Sequence, residues 1–269
     1  MDPTIIFTVA LLVFVALIFS PLGLGGGVLY MPIFLYLLDW RVQEAVLGSL
    51  LLVLMVSLGS SLSHNKSGHA DSTVARVGRI TATFFAVVGT IITGILLGSV
   101  GEIGVKVVAS AILVFVIERT ITRMRKEQSE VGTPPDFEPL KKKYQIGAAF
   151  AGTASGLLGI GGGAILVTLN RSLLKMDPHK AAGTSFQIEA TVVPVALVSH
   201  IIFDGVALDL FHTVGALGSV LIPLLVFTTA FFGAKFAIQY LPKKLVTVVF
   251  LGAVSLGLFR YFIDFASVA

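Results

Sequence analysis

The residues whose types and spacing point to chemistry are two glycine runs and a short polar cluster that follows the second. Gly25, Gly26 and Gly27 end the stretch Pro21-Leu22-Gly23-Leu24-Gly25-Gly26-Gly27, and Gly161, Gly162 and Gly163 end its echo Leu158-Gly159-Ile160-Gly161-Gly162-Gly163. Each run interrupts an apolar segment of helical length. Glycine costs about 1 kcal/mol per residue in a helix interior, so such a run unwinds the helix. Unwound backbone at membrane depth survives only where it is buried in protein or lines a cavity. A helix that restarts after the run presents a positive dipole end and free N–H donors, which suits an anion. An alternative use of the glycines is close helix packing, the reading that fits Gly94-x-x-x-Gly98.

Ser49, Thr184 and Ser185 fall one or two turns into the helices after the two runs, where their hydroxyls could meet a ligand's oxygens. The competing role is back-bonding to a helix carbonyl. Gln187 and Glu189 lie deeper in the same helix as Thr184. A carboxyl inside a span is costly and, by default, functional, so Glu189 is the candidate for proton coupling. The alternative is a neutral Glu hydrogen-bonded to a neighbouring helix. His64 and His200 fall near opposite membrane faces, too far apart to share a metal, and read as interfacial caps; His69, His179 and His212 read as loop residues. No metal site and no cofactor is expected, and a dinucleotide fingerprint is rejected because Val28 stands where G-x-G-x-x-G needs glycine.

The elements that must position these residues are membrane helices. A mean hydropathy of +0.95 with only 13% charged residues describes a polytopic helical membrane protein, not a soluble domain. The absence of cysteine removes disulfides and thiolate metal sites, and the net charge of +4 reflects loop placement and does not point to nucleic acid. Met1-Asp2-Pro3 lacks the basic start of a signal peptide, so the first apolar run is expected to stay.

The chain reads as two repeats. A shift of 136 positions lays Leu22-Gly23 on Leu158-Gly159, the two glycine triplets on each other, Ala45 on Ala181, Ser49 on Ser185 and Ser63-His64 on Ser199-His200. Glu189 falls on Val53, so it breaks the symmetry. The expected first repeat is 1–122, with a hairpin at 5–38 and three spans near 42–63, 74–98 and 104–122. A polar cytoplasmic linker, 123–143, joins it to a second repeat at 144–269, with a hairpin at 144–174 and spans near 179–202, 210–240 and 244–265.

Lysine and arginine set the orientation. If each glycine run makes a re-entrant hairpin, Lys66, Arg76, Arg79, the linker, Lys175–Lys180 and Lys235–Lys244 share one side. Arg41, Lys106 and Arg260 alone fall on the other, while Arg171 lies close enough to the basic side to snorkel. Both termini then lie outside. Three spans per half is an odd number, so the repeats are inverted and one hairpin enters from each face. The fold expectation is an all-α polytopic membrane protein of two inverted repeats, each a Gly-broken re-entrant hairpin plus three transmembrane helices.

The two L-G-[LI]-G-G-G signatures, each followed by a short apolar helix and A-x-x-[GT]-S (Ala45 to Ser49, Ala181 to Ser185), resemble the TauE/SafE sulfite exporter family, also called toluene sulfonate uptake permeases. The resemblance spans nearly the whole chain. It implies transport of a small sulfur-containing anion such as sulfite, a sulfonate or sulfoacetate across a prokaryotic plasma membrane. The first repeat has the family's proline after its short run (Met31-Pro32), whereas the second has Val167-Thr168 and carries Pro194 in the following helix. The expectation is a secondary transporter working by alternating access, with the bilayer and the anion as partners and a homo-oligomer compatible with both. A passive anion channel is the first alternative, and an intramembrane enzyme, for which no Ser–His dyad or aspartate pair is evident, the second.

Overall fold

The computed structural model describes the backbone of residues 3–126, 135–240 and 243–268, and within them it is helical throughout, apart from turns and caps. The ten α-helices are α1 (Pro3–Phe19), α2 (Gly27–Leu37), α3 (Val42–Lys66), α4 (Ser72–Ser99), α5 (Glu102–Lys126), α6 (Lys141–Leu158), α7 (Gly163–Ser172), α8 (Pro178–Asp204), α9 (Ala207–Tyr240) and α10 (Lys243–Val268). Of the described helices, α3, α4, α8 and the 207–236 part of α9 are long and apolar enough to cross a membrane; α1 and α2 are shorter and equally apolar. Part of the 123–143 linker lies outside the described residues.

Both glycine runs break their helices where expected. Gly23, Gly25 and Gly26 in the first turn, and Gly159, Gly161 and Gly162 in the second, all take positive φ, the left-handed region that disfavours any side chain. The chain then doubles back. Tyr144 Oη donates to Asn170 Oδ1 at 2.9 Å and Gly147 packs against Leu169, so α6 and α7 lie side by side. In the first half Tyr30 Oη meets the Leu12 carbonyl at 3.3 Å, which folds α2 back along α1.

The 136-residue shift runs through the packing as well. It carries α1–α5 onto α6–α10, and each half lends its third and fourth helices to the other: α3 packs along α9, and α8 packs along α4. The long helices α3 and α8 cross at the centre, where both hairpins meet them. Small residues make this approach possible. A Cβ at Gly152 or Gly156 would strike the backbone of Ala82 or Ala86, and one at Gly89 would strike Thr153, so α4 and α6 touch backbone to backbone.

Gly94 and Gly98, expected to do this packing, instead face open space. The three basic residues on the acidic face are all paired: Arg41 with Glu44 and Asp209, and Lys106 and Arg260 with Asp264.

Candidate functional site

The two glycine turns meet each other at the crossing of α3 and α8, and the contacts between them are reciprocal. Ser49 Oγ donates to the Gly159 carbonyl at 2.7 Å, and its mate Ser185 lies 3.0 Å from the Gly23 carbonyl. Gly159 is the mate of Gly23, so each half's serine holds the other half's turn. A Cβ at Gly27 would strike Ile160 and the Gly159 carbonyl; one at Gly163 would strike Glu189 and the Gly23 carbonyl. Gly25 and Gly161 both face Val53 and Glu189 together. Gly26 and Gly162 act within their own hairpins, against Tyr30 and Val15 and against the Ala151 carbonyl respectively. The triplets therefore divide into one residue that folds its own hairpin, one that admits the opposite turn and one that faces Val53 and Glu189.

Helices α2 and α7 begin at these turns, with Gly26 and Gly162 as N-caps and no side-chain cap on either. Two helix N-termini thus converge on one region, and Glu189 stands between them. Its side chain is fully buried. Ser57 Oγ lies 3.0 Å from Oε2, and Ser185 Oγ lies 3.0 Å from Oε1.

Counting donors fixes what this cluster needs. Ser185 has one hydroxyl proton, yet its oxygen sits within hydrogen-bond reach of Glu189 Oε1 and the carbonyls of Gly23 and Gly163, at 3.0, 3.0 and 3.4 Å. An ionised Glu189 leaves a pair of acceptors facing each other without a proton. A protonated Glu189 resolves the conflict: Oε1–H donates to Ser185, Ser185 donates to the Gly23 carbonyl, and Ser57 donates to Oε2. Such a chain satisfies every buried group, whereas an unpaired buried carboxylate costs several kcal/mol.

The other expected site residues lie off this centre. Thr184 Oγ1 donates to the Lys180 carbonyl at 2.7 Å and accepts the Asp71 N–H at 2.9 Å, so it ties α8 to the turn before α4. Gln187 faces the same end: its Nε2 donates to Asn65 Oδ1 at 2.6 Å, and Arg79 Nε donates to its backbone carbonyl at 2.9 Å. Asp71 accepts from Lys180 Nζ at 3.0 Å. Burial works to raise the Asp71 carboxyl, but the Lys180 ammonium and the Val74 and Thr73 amides outweigh it and hold it below the usual carboxylate range. Together these bonds tie α3, α4 and α8 to one another at this end.

The histidines correct the sequence reading. His64 and His200 are fully buried, not interfacial caps, because α3 runs to Lys66 and α8 to Asp204, beyond the expected ends at 63 and 202. His200 is held by Asp204 and the Gly156 carbonyl. Its mate His64 has no side-chain hydrogen bond; the backbones of Ser20 and His179 lie beside its ring. His179 lies in the first turn of α8 and not in a loop, with its ring 5.3 Å from that of His69. Sequence reasoning missed Asn170 as the latch of the second hairpin, Ser57 as a Glu189 partner and Arg79 as a clamp. The i, i+3, i+7 spacing of Ser57, Ser60 and His64 on one helical face was the available signal for Ser57.

Among known proteins, the family described as sulfite exporter TauE/SafE matches residues 8–261 of this chain. Neither a curated protein nor a solved structure gives a match. The family match covers nearly the whole chain, which therefore belongs to the sulfite exporter TauE/SafE family and is a multi-pass membrane transporter.

Proposed function

We propose that this TauE/SafE family member moves a small sulfur-containing oxyanion of the sulfite or sulfonate class by alternating access, coupled to a proton on Glu189. The observation that carries this reading is the convergence of two helix N-termini on one buried carboxyl, held by reciprocal Ser–carbonyl bonds between the halves. A carboxylate and a substrate anion compete for the same two positive helix ends. Protonation of Glu189 removes the competitor, so anion and proton favour each other's occupancy. The glycine turns pack directly on one another here, so an anion reaches the free N–H groups when the turns part. Rocking one half against the other supplies that motion, in the manner of inverted-repeat transporters.

In this reading the halves are inverted, α1–α2 and α6–α7 are re-entrant hairpins from opposite faces of the plasma membrane, and the basic loops are cytoplasmic. Lys66 and Leu208 lie at opposite ends of the long helices, so cysteines there are expected to label from the inside and the outside respectively. Labelling of both from one side overturns the orientation.

The functional test uses purified protein and reconstituted vesicles. Sulfite or a sulfonate is expected to raise Tm more than sulfate or a carboxylate does, and flux is expected to saturate and to follow an imposed pH gradient. Stabilisation by carboxylates alone reassigns the substrate, and flux that never saturates makes the protein a channel.

A further inference from the structure

Glu189 reaches one face of the molecule through polar side chains and the other through apolar ones. On α3, Ser57 touches the Glu189 carboxyl, and Ser60 and His64 follow at i+3 and i+7, on the same side of the helix. Gly59, on the opposite side, packs against α9, which confirms that the stripe faces α8. Ser60 Oγ is buried without a hydrogen-bond partner, which native proteins rarely tolerate without a reason, and the buried His64 ring has no side-chain hydrogen bond, only the backbones of Ser20 and His179 beside it. The mates of Ser57 and Ser60 in the other half are Val193 and Ala196, and the mate of His64 is bonded to Asp204. The polar column therefore exists in one direction only, toward the basic face.

We propose that Ser57, Ser60 and His64 form a proton path between Glu189 and the basic face, ending at the His69–His179 pair. This rests on the reading of Glu189 as the proton carrier. Successive members of the stripe are separated by about 4.5–6 Å of helix rise, a spacing that one water molecule or a hydroxyl rotation bridges. For release, the carboxyl turns about its Cγ–Cδ bond to carry its proton from the Ser185 side to Ser57, and the Ser57 hydroxyl accepts it while passing its own proton toward Ser60. Ser60 repeats the exchange, and the proton arrives on His64. Glu189 is left as a carboxylate and His64 as an imidazolium, which then yields its proton to His69 or His179 and to water. The backbones of Ser20 and His179 lie beside the His64 ring, and Phe186 packs on it with centroids 5.7 Å apart. The charged and titratable groups around this end are His69, His179, Lys66 and the Asp71–Lys180 pair. Imidazole is suited to the terminal step because its ordinary pKa lies near neutral pH.

The test needs no substrate. In lipid-reconstituted protein, the infrared C=O band of a protonated carboxyl that disappears in Glu189→Gln reports the Glu189 proton, and a pH jump times its loss. His64→Ala and Ser60→Ala are expected to slow that loss at least tenfold with the equilibrium midpoint unchanged. Free imidazole is expected to restore the rate in His64→Ala, which a merely structural role does not predict. Should His64→Ala fail to fold, His64→Gln keeps the volume and is expected to be slow and unrescued. Parental rates in these variants overturn the path and leave Glu189 as carrier. A parent with no band that Glu189→Gln removes overturns the carrier reading itself, and the path with it.

Discussion

The two halves of the molecule share a scaffold and differ at its two ends. In the second half, α6 carries Gly152 and Gly156 and lies backbone to backbone against α4; the matching positions in and just after α1 hold Ala16 and Ser20, and α1 packs on α9 less extensively, with Gly233 against Leu17 and Ser20. Arg79 on α4 clamps Gln187 of α8, whereas the matching residues are Gly215 and Leu51. Gly215 is a non-helical kink in α9, and Leu51 lines a cleft of 480 Å³ with Leu12, Trp40 and Phe211, at the acidic face. One sequence pattern thus builds a clamped end and a cleft. The symmetric residues, the glycines and Ser49 and Ser185, set the backbone geometry, and the asymmetric ones, Arg79, Gln187 and Glu189 against Gly215, Leu51 and Val53, make the ends differ. In the proposed alternating-access reading this division gives the two ends different preferences.

Transplanting one half's packing into the other gives the largest expected effect. Gly156→Val places a branched side chain against the Ala86 backbone, which cannot yield as a side chain would. Overpacking of this kind costs about 1–3 kcal/mol and more where backbone must move, so Tm is expected to fall steeply. Gly94→Ala, where a Cβ meets nothing, is expected to leave Tm unchanged or slightly raised, since alanine is about 1 kcal/mol better in a helix. Equal losses in the two variants would mean that α4 and α6 do not touch as described.

Next comes the clamp. Arg79→Leu removes a charged hydrogen bond to the Gln187 carbonyl, a change worth about 1.5–3 kcal/mol. In the proposed reading this bond keeps the basic end closed, so a cysteine at Ser63, buried at that end, is expected to become far more reactive to a membrane-impermeant thiol reagent. Unchanged reactivity makes the Arg79 bond incidental to closure.

The glycine turns, the duplication and the isolated carboxyl were all legible in the sequence, because each breaks a local rule: unwound backbone in an apolar run, or an acid inside a span. The reciprocal Ser–carbonyl bonds were not. Ser49 carries no mark of whether its hydroxyl turns back to its own helix or across to Gly159, since that choice belongs to tertiary packing. Gly94-x-x-x-Gly98 misled for a related reason. A small-residue pair states that a helix can be approached closely, not which part of it is; Gly152-x-x-x-Gly156 carries the same pattern and is the pair in use. His64 was misplaced because the span was ended three residues early, where Ser63 begins a polar run that in fact stays helical to Lys66.

The pairing of Glu189 with Val53 gives a functional comparison. Glu189→Gln keeps shape and hydrogen bonding but cannot change charge, so anion stabilisation is expected to persist while the pH dependence of flux, tenfold or more in the parent, is lost. The exchange Val53→Glu with Glu189→Val moves the carboxyl to the matching position, which also faces Gly25 and Gly161. Some pH dependence is expected to return there, but slowly, because Val193 and Ala196 replace Ser57 and Ser60 alongside it. A Glu189→Gln protein whose flux still tracks the pH gradient places the coupling residue elsewhere.

The smallest effect concerns the turn before α4. Asp71 caps that helix through Val74 N–H at 3.2 Å and pairs with Lys180, whereas the matching position at the start of α9 is Ala207. Its carboxyl is held below the usual range in the folded protein. A carboxyl depressed in this way contributes stability that is fully present above the unfolded pKa, near 3.9, and is lost as pH falls through the lower folded value. Asp71 and Lys180 are both partly exposed, so screening keeps the ion pair toward the low end of about 0.2–1 kcal/mol. Asp71→Asn keeps a good cap and loses only the charge, so Tm at neutral pH is expected to drop slightly and the acid limb of the Tm–pH profile below about pH 4 to flatten. Asp71→Ala removes the cap as well and is expected to cost about 1 kcal/mol more. A parental acid limb in Asp71→Asn would mean that the Asp71–Lys180 pair does not carry the acid sensitivity of the fold.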